Sequence, residues 1–312
     1  MPHPLSQLNR LKERLENSTF NLIQNLGRMA ARLSLESIEL TPGRFVYYFD
    51  NHQHDRDTIV MLHGFEADKN HWLRMAAYLS DYRVIIPDLA GHGQTWFDPD
   101  VNYTIPYQSD FLFDFLKQIR VTEAHIIGNS MGGWVAASFA EHFPERVKTL
   151  TLLNSCGVAS PTLSDYFTLL KNNKNLFFYR NKAEFEHLLS ILLARPKQLF
   201  WPLKPVIYRH GLANRHRSKK IFADIINKEH TYFAPEQMMD ARLSKIDKPT
   251  LIVWGDRDGI MHPSMADEFA KGIKGSETLM LAGIGHGPML ETPKTMARHF
   301  QAFLRRHGNA PT

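Results

Sequence analysis

The sequence predicts a doubly wound α/β sheet of mostly parallel strands, and three observations point to it. Five short runs, TIVMLHG at 58–64, RVIIPDL at 83–89, AHIIGN at 124–129, TLTLLNS at 149–155 and TLIVWG at 250–255, are almost continuously apolar, as strands buried on both faces of a parallel sheet must be. Helical patterns at 70–80, 105–119 and 131–142 lie between them, so strand and helix alternate. A glycine-flanked serine, Gly128-Asn129-Ser130-Met131-Gly132, falls where a predicted strand gives way to a predicted helix.

The composition suits this architecture. The chain has 312 residues, 43% hydrophobic and 22% charged, with 18 Gly and 17 Pro, which provides a full core and excludes a disordered or collagen-like chain. The single cysteine, Cys156, excludes a disulfide scaffold and a Cys-rich zinc site and suits a reducing compartment. No apolar run approaches the ~18–20 residues that span a bilayer. The opening MPHPLSQLNRLKERLENS is too polar for a signal peptide, so the expected location is cytoplasmic. A net charge of +5, with no basic cluster interleaved with aromatics, argues against nucleic acid as a partner. That charge is uneven: residues 1–35 carry 5 basic and 2 acidic groups, residues 157–245 carry 15 and 7, and the remainder 17 and 23.

In chain order, residues 1–35 form an N-terminal amphipathic helical segment, with Leu5, Leu8, Leu22, Leu26, Met29 and Leu33 recurring at helical spacing between Arg and Lys. Such a helix packs on the body of the domain or rests on an anionic membrane surface. SIEL and FVYYF open the sheet, and the five buried runs and ETLMLAG continue it. Residues 36–156 and 246–312 therefore make the α/β core. From Gly157 to Lys245 no strand is predicted; the pattern reads as short helices at 164–171, 182–194, 217–228 and 235–243, punctuated by prolines. This is a helical insertion on the sheet.

The serine sequence carries the chemistry. A chain that turns sharply from strand to helix needs residues without a β-carbon on both sides of the turn, and the turn presents the serine hydroxyl above the sheet. Ser130 is the candidate nucleophile. A serine needs a base, and the base needs a carboxylate to hold its tautomer. On this kind of turn both follow in the order Ser, acid, His, on loops after later strands. Asp256 and Asp258 lie just beyond TLIVWG, and His286 lies in GIGHGPMLE after the last apolar run. His286 is the candidate base; Asp258 is the preferred acid, with Asp256 the alternative. The oxyanion of the intermediate needs two backbone donors: the N–H of Met131, at the helix start, and the N–H of Phe65, in the loop His63-Gly64-Phe65-Glu66. His63 is expected to brace that loop. The other histidines show no metal-ligand spacing.

Together LHGF, PDLAGHGQT, IGNSMGG, WGDRDGIMHP and GIGHGPMLETP resemble, in that order, the α/β-hydrolase superfamily over about residues 36–308. The resemblance implies a core of about eight mostly parallel strands, with 157–245 as a helical cap over the nucleophile. HGFEADKNHW and GNSMGGWVAASFAEHFPERV look most like bacterial lipase/esterases of the monoacylglycerol-lipase type. A serine nucleophile argues against haloalkane dehalogenases and epoxide hydrolases, which use aspartate. GNSMGG also occurs in C–C hydrolases of meta-cleavage products, the alternative reading; a non-catalytic binding module is a remoter one. One departure keeps Asp256 in view: Pro263 follows Asp258 by five steps, where four is commoner.

The expected activity is thus hydrolysis of carboxylic esters through an acyl-enzyme on Ser130, with no cofactor and no metal. Phe167, Phe178 and Trp201, in the aromatic-rich insertion, are candidate pocket residues for an acyl chain. The basic head and insertion suggest peripheral contact with an anionic membrane, and the partner is a small-molecule or lipid ester.

Overall fold

Within each predicted strand successive side chains point to opposite faces, and here both faces are covered. The computed structural model describes residues 4–196, 202–227, 229 and 231–307. Its strands are β1 (Ser34–Thr41), β2 (Arg44–Asp50), β3 (Thr58–Leu62), β4 (Arg83–Pro87), β5 (Ala124–Asn129), β6 (Val147–Leu153), β7 (Thr250–Gly255) and β8 (Glu277–Leu281). They form one sheet in the order β1-β2-β4-β3-β5-β6-β7-β8. β1 and β2, and β2 and β4, pair antiparallel; every later pair is parallel. This is the α/β-hydrolase architecture that the motifs imply.

The alternation builds two cores. Val60, Leu62, Ile126 and Ile252 face one way with α3 (Ile105–Gln118) and α4 (Met131–His142). Ile59, Met61, Ile127 and Val253 face the other, against Trp72, Met75 and the buried stripe of α10 (Pro293–His307), Met296, Phe300 and Phe303. The chain order reverses at β3, which has β4 on one side and β5 on the other. The loops leaving β3 and β5 therefore emerge side by side, as expected of a ligand site in a doubly wound sheet.

The first segment is one helix, α1 (Pro4–Ala30). One face is docked: Glu16, buried, receives Arg209 at 2.6 Å, the Phe20 ring meets His210 edge-on, and Gly27 lies against Leu73. Leu8, Leu11, Leu15, Leu22, Leu26 and Met29 are exposed by 55% to 68%; at 100° per residue they share a sector roughly 60° wide. The predicted helix at 70–80 is shorter, a 3-10 turn (Lys69–Trp72) followed by α2 (Leu73–Ala76).

Between β6 and β7 the chain runs through α5 (Asp165–Lys171), α6 (Lys182–Leu192) and α7 (Leu203–Ile225). The structure corrects two expectations here. The helix expected at 217–228 is the end of a 23-residue helix: Pro205 stands in its first turn, where the absent N–H has no partner to lose, so proline does not break it. The helix expected at 235–243 is replaced by two 3-10 turns, Pro235–Gln237 and Leu243–Lys245. After β7 come α8 (Met265–Gly272) and α9 (Pro288–Glu291).

Candidate active site

β5 delivers Ser130 into a turn with φ 57° and ψ −121°, a region that side chains occupy only when their surroundings fix it. Both elbow glycines are required by space. A methyl on Gly128 would stand 2.1 Å from the carbonyl oxygen of Gly132, and one on Gly132 would stand 2.3 Å from that of Leu62. The turn is held from outside as well: the Ser130 N–H donates to Leu153 O (3.0 Å), and its carbonyl accepts from the Gly133, Trp134 and Cys156 N–H groups at 3.0–3.2 Å. Ser130 Oγ lies 3.6 Å from the thiol of Cys156, whose pKa burial pushes up to about 12. That thiol is therefore a neutral neighbour rather than a rival nucleophile.

The loops after β7 and β8 bring the acid and the base together. His286 Nδ1 lies 2.8 Å from Asp258 Oδ2, and both residues are buried. Asp258 accepts throughout: Oδ1 takes the N–H of Ile260 (2.8 Å) and Met261 (3.0 Å), and Oδ2 also takes the Asn154 amide (2.7 Å). With Nδ1 donating to that carboxylate, Nε2 is left as the basic nitrogen. Asp256, the alternative acid, is half-exposed and caps the N–H of Gly283 at 2.7 Å. The loop of His286 is tied to the elbow, because the Asn129 amide donates to His286 O at 3.0 Å.

The loop after β3 packs against the same serine. A methyl on Gly64 would lie 3.1 Å from Ser130 Cβ and 3.4 Å from Asn129 O, so the segment that carries Phe65 runs close to the elbow. His63 is buried; Nδ1–H donates to Gly64 O (2.8 Å) while Nε2 accepts from the Leu89 N–H (3.0 Å). Those bonds fix a neutral ring, and burial lowers its pKa further. Lys69 clamps the loop's far end: its Nζ reaches Asp88 at 2.6 Å and Gln94 at 2.7 Å, inside the protein.

The helical excursion touches both sides of the site. Phe65 packs edge-on to Phe177 (5.3 Å) and tilted against Phe222 (5.8 Å). Phe178 rests on Phe222 and lines a cleft of about 300 Å³ with Leu170, Asn173, Asn175, Lys219 and Ala223. Phe167 is buried against Tyr166, Tyr232 and Phe233, and Phe233 in turn packs on Trp134 of α4. Trp201 lies outside the described residues. The end of α6 is stitched to the loops after β7 and β8: Gly259 N–H donates to Ile191 O (3.0 Å), His286 N–H to Leu192 O (2.8 Å), and Ala194 N–H to the Glu291 carboxylate (2.9 Å). Among the described residues no group of His, Cys, Asp and Glu side chains is placed to hold a metal ion.

Sequence reasoning missed Asn129, Asn154 and Cys156. Asn154, at φ 45° just past β6, had one readable signal, a polar residue ending an apolar strand; its partner lies 104 residues away.

Comparison with known proteins adds family and relatives. A family model described as alpha/beta hydrolase fold matches residues 57–293. The chain is 28% identical over 288 residues to Lipase 1 of Psychrobacter immobilis, covering 92% of this chain and 89% of that protein. It is 28% identical over 275 residues to monoacylglycerol lipase ABHD6 of Bos taurus, covering 84% and 79%. A crystal structure of a membrane phospholipase A, described as a bacterial virulence factor, superposes with a TM-score of 0.89 at 29% identity, over 98% of this chain and 96% of that one.

Proposed function

Because the chain belongs to the α/β hydrolase fold family, we propose that Ser130, His286 and Asp258 work as its catalytic triad. The chain is a carboxylic ester hydrolase. The carrying observation is the buried Asp258–His286 bond of 2.8 Å, on loops tied to the elbow that presents Ser130.

Ser130 Oγ attacks the ester carbonyl as His286 Nε2 takes its proton, and Asp258 holds the imidazole and stabilises its positive charge. The N–H groups of Phe65 and Met131 receive the oxyanion, the latter at a helix N-terminus whose dipole favours negative charge. His286 then protonates the departing alcohol, and a water that it activates releases the acid. The segment 157–245 acts as the cap, and its aromatic lining, Phe178 included, suits an acyl chain. The lipases among the relatives support a lipid ester as substrate. Turnover of nitrophenyl esters of graded chain length and of a monoacylglycerol tests the reading, with Ser130→Ala as control and a vinylogous diketone as the C–C substrate. Cleavage of the diketone alone overturns it.

The exposed apolar sector of α1, with Arg10, Lys12 and Arg14 exposed beside it, supports peripheral contact with an anionic membrane. An amphipathic helix buries such a face at the headgroup boundary, and each nearby basic group adds about 1 kcal/mol. No described helix is long and apolar enough to cross a membrane. Co-sedimentation with anionic vesicles at low and high salt decides the matter: absence of binding even at low salt removes the proposal.

A further inference from the structure

The mechanism leaves Glu66 unused. It directly follows Phe65 and holds φ at 59°, a backbone that glycine adopts freely and a β-carbon resists. Its Oε1 is fully buried without a hydrogen-bond partner among the described residues, while the residue as a whole is only partly buried. Arg217 on α7 and Tyr179 in the insertion stand within electrostatic reach, so the side chain lies at the seam between the β3 loop and the insertion. Burial outweighs the guanidinium of Arg217 and pushes the carboxyl up to about 8; near neutral pH it is an acid that can both donate and accept.

Ser130 has Cys156 beside it and, 3.7 Å from that sulfur, Met261, soft and apolar neighbours suited to hydrocarbon. Gly64 also lies against Ser130, and two residues further along that loop stands Glu66, with its strained backbone and unsatisfied polar atom. A buried polar atom without a partner costs stability, and strain of this kind is retained where the surrounding site over-determines it.

We propose, building on the ester-hydrolase reading, that Glu66 is a specificity-determining residue that hydrogen-bonds a free hydroxyl on the alcohol half of the substrate. It thereby favours esters of polyols such as glycerol over simple alkyl esters. A hydroxyl satisfies the orphan oxygen, whereas an ester lacking one leaves it unpaired, and such asymmetry is a strong source of discrimination.

The test is the ratio of kcat/KM for a 1-monoacylglycerol to that for the methyl ester of the same acid, in wild type, Glu66→Gln and Glu66→Gly. Glycine accepts φ 59° and deletes the acid; glutamine keeps a donor and an acceptor. Wild type is expected to prefer the glycerol ester. Glu66→Gly should lower the ratio about tenfold or more while unfolding at no lower temperature, and Glu66→Gln should hold it within about threefold. A wild type without preference, an unchanged ratio in Glu66→Gly, or an equal fall on both esters overturns the proposal. The ester-hydrolase reading fails separately, if wild type cleaves neither ester or if Ser130→Ala cleaves as fast as wild type.

Discussion

Around the nucleophile, neighbouring residues of one type carry different duties because their hydrogen bonds differ. Asp258 has four donors converging on it and Asp256 only a loop amide. Asp258→Asn should therefore lower kcat by about 10⁴-fold by disturbing the tautomer of His286, whereas Asp256→Asn should stay within about threefold, as surface substitutions do. Steady-state turnover of a nitrophenyl ester measures both. Removing the amide of Asn154 takes one charge-assisted bond from the acid; bonds of that kind are worth about 1.5–3 kcal/mol, so Asn154→Ala should cost about tenfold in kcat with KM little changed. Glu66 has a thermodynamic signature too. Its folded pKa, about 8, lies above the ordinary value near 4.5, so between those limits the folded chain binds more protons than the unfolded one and stability falls as pH rises. The melting temperature of Glu66→Gln should decline less than that of wild type across pH 5 to 8.

At the scale of elements, the closest tolerances lie where β5 enters α4. Gly132→Ala would press a methyl onto two carbonyl oxygens of β3 and its loop, 2.3 and 2.5 Å away, and should destabilise by about 3 kcal/mol or more, seen as a lower denaturant midpoint. This element was legible because its requirement is local and steric: glycine, serine and glycine stand within five residues. The span of α7 was not. Proline reads as a breaker from sequence, and only the helix start in space reveals that Pro205 occupies a position with no hydrogen bond to lose. Likewise α1 advertised its amphipathic period but not which stripe docks. Phe20 and Glu16 face inward because Arg209 and His210 wait there, nearly two hundred residues along the chain. Arg209→Ala should leave Glu16 unpaired at that contact and loosen α1, making the segment before residue 30 more sensitive to limited proteolysis.

Over the whole molecule, the mostly parallel, doubly wound sheet was legible in its apolar runs, and the proposed triad residues drew notice because each lay in a motif at a strand's end. Ser130, Asp258 and His286 each follow an apolar run, and fold topology gathers such ends on one edge. Residues that serve by touching distant parts, Asn154, Cys156 and Glu66, left no comparable mark, since a contact across a hundred residues has no sequence period.

The stitching of α6 to the loops of Gly259 and His286 has a dynamic consequence. Backbone bonds from Ile191, Leu192 and Ala194 bind the insertion to the acid and base loops alike, and a methyl on Gly285 would meet that segment at 2.7 Å. This margin of the insertion cannot swing away without carrying the loops of Gly259 and His286 with it, so an opening there moves all three segments together. In deuterated buffer the amides of Gly259, Ala194 and His286 should exchange at one shared rate, as a single cooperative unit does. Faster, mutually independent exchange at the three amides would show that the insertion and the loops move apart.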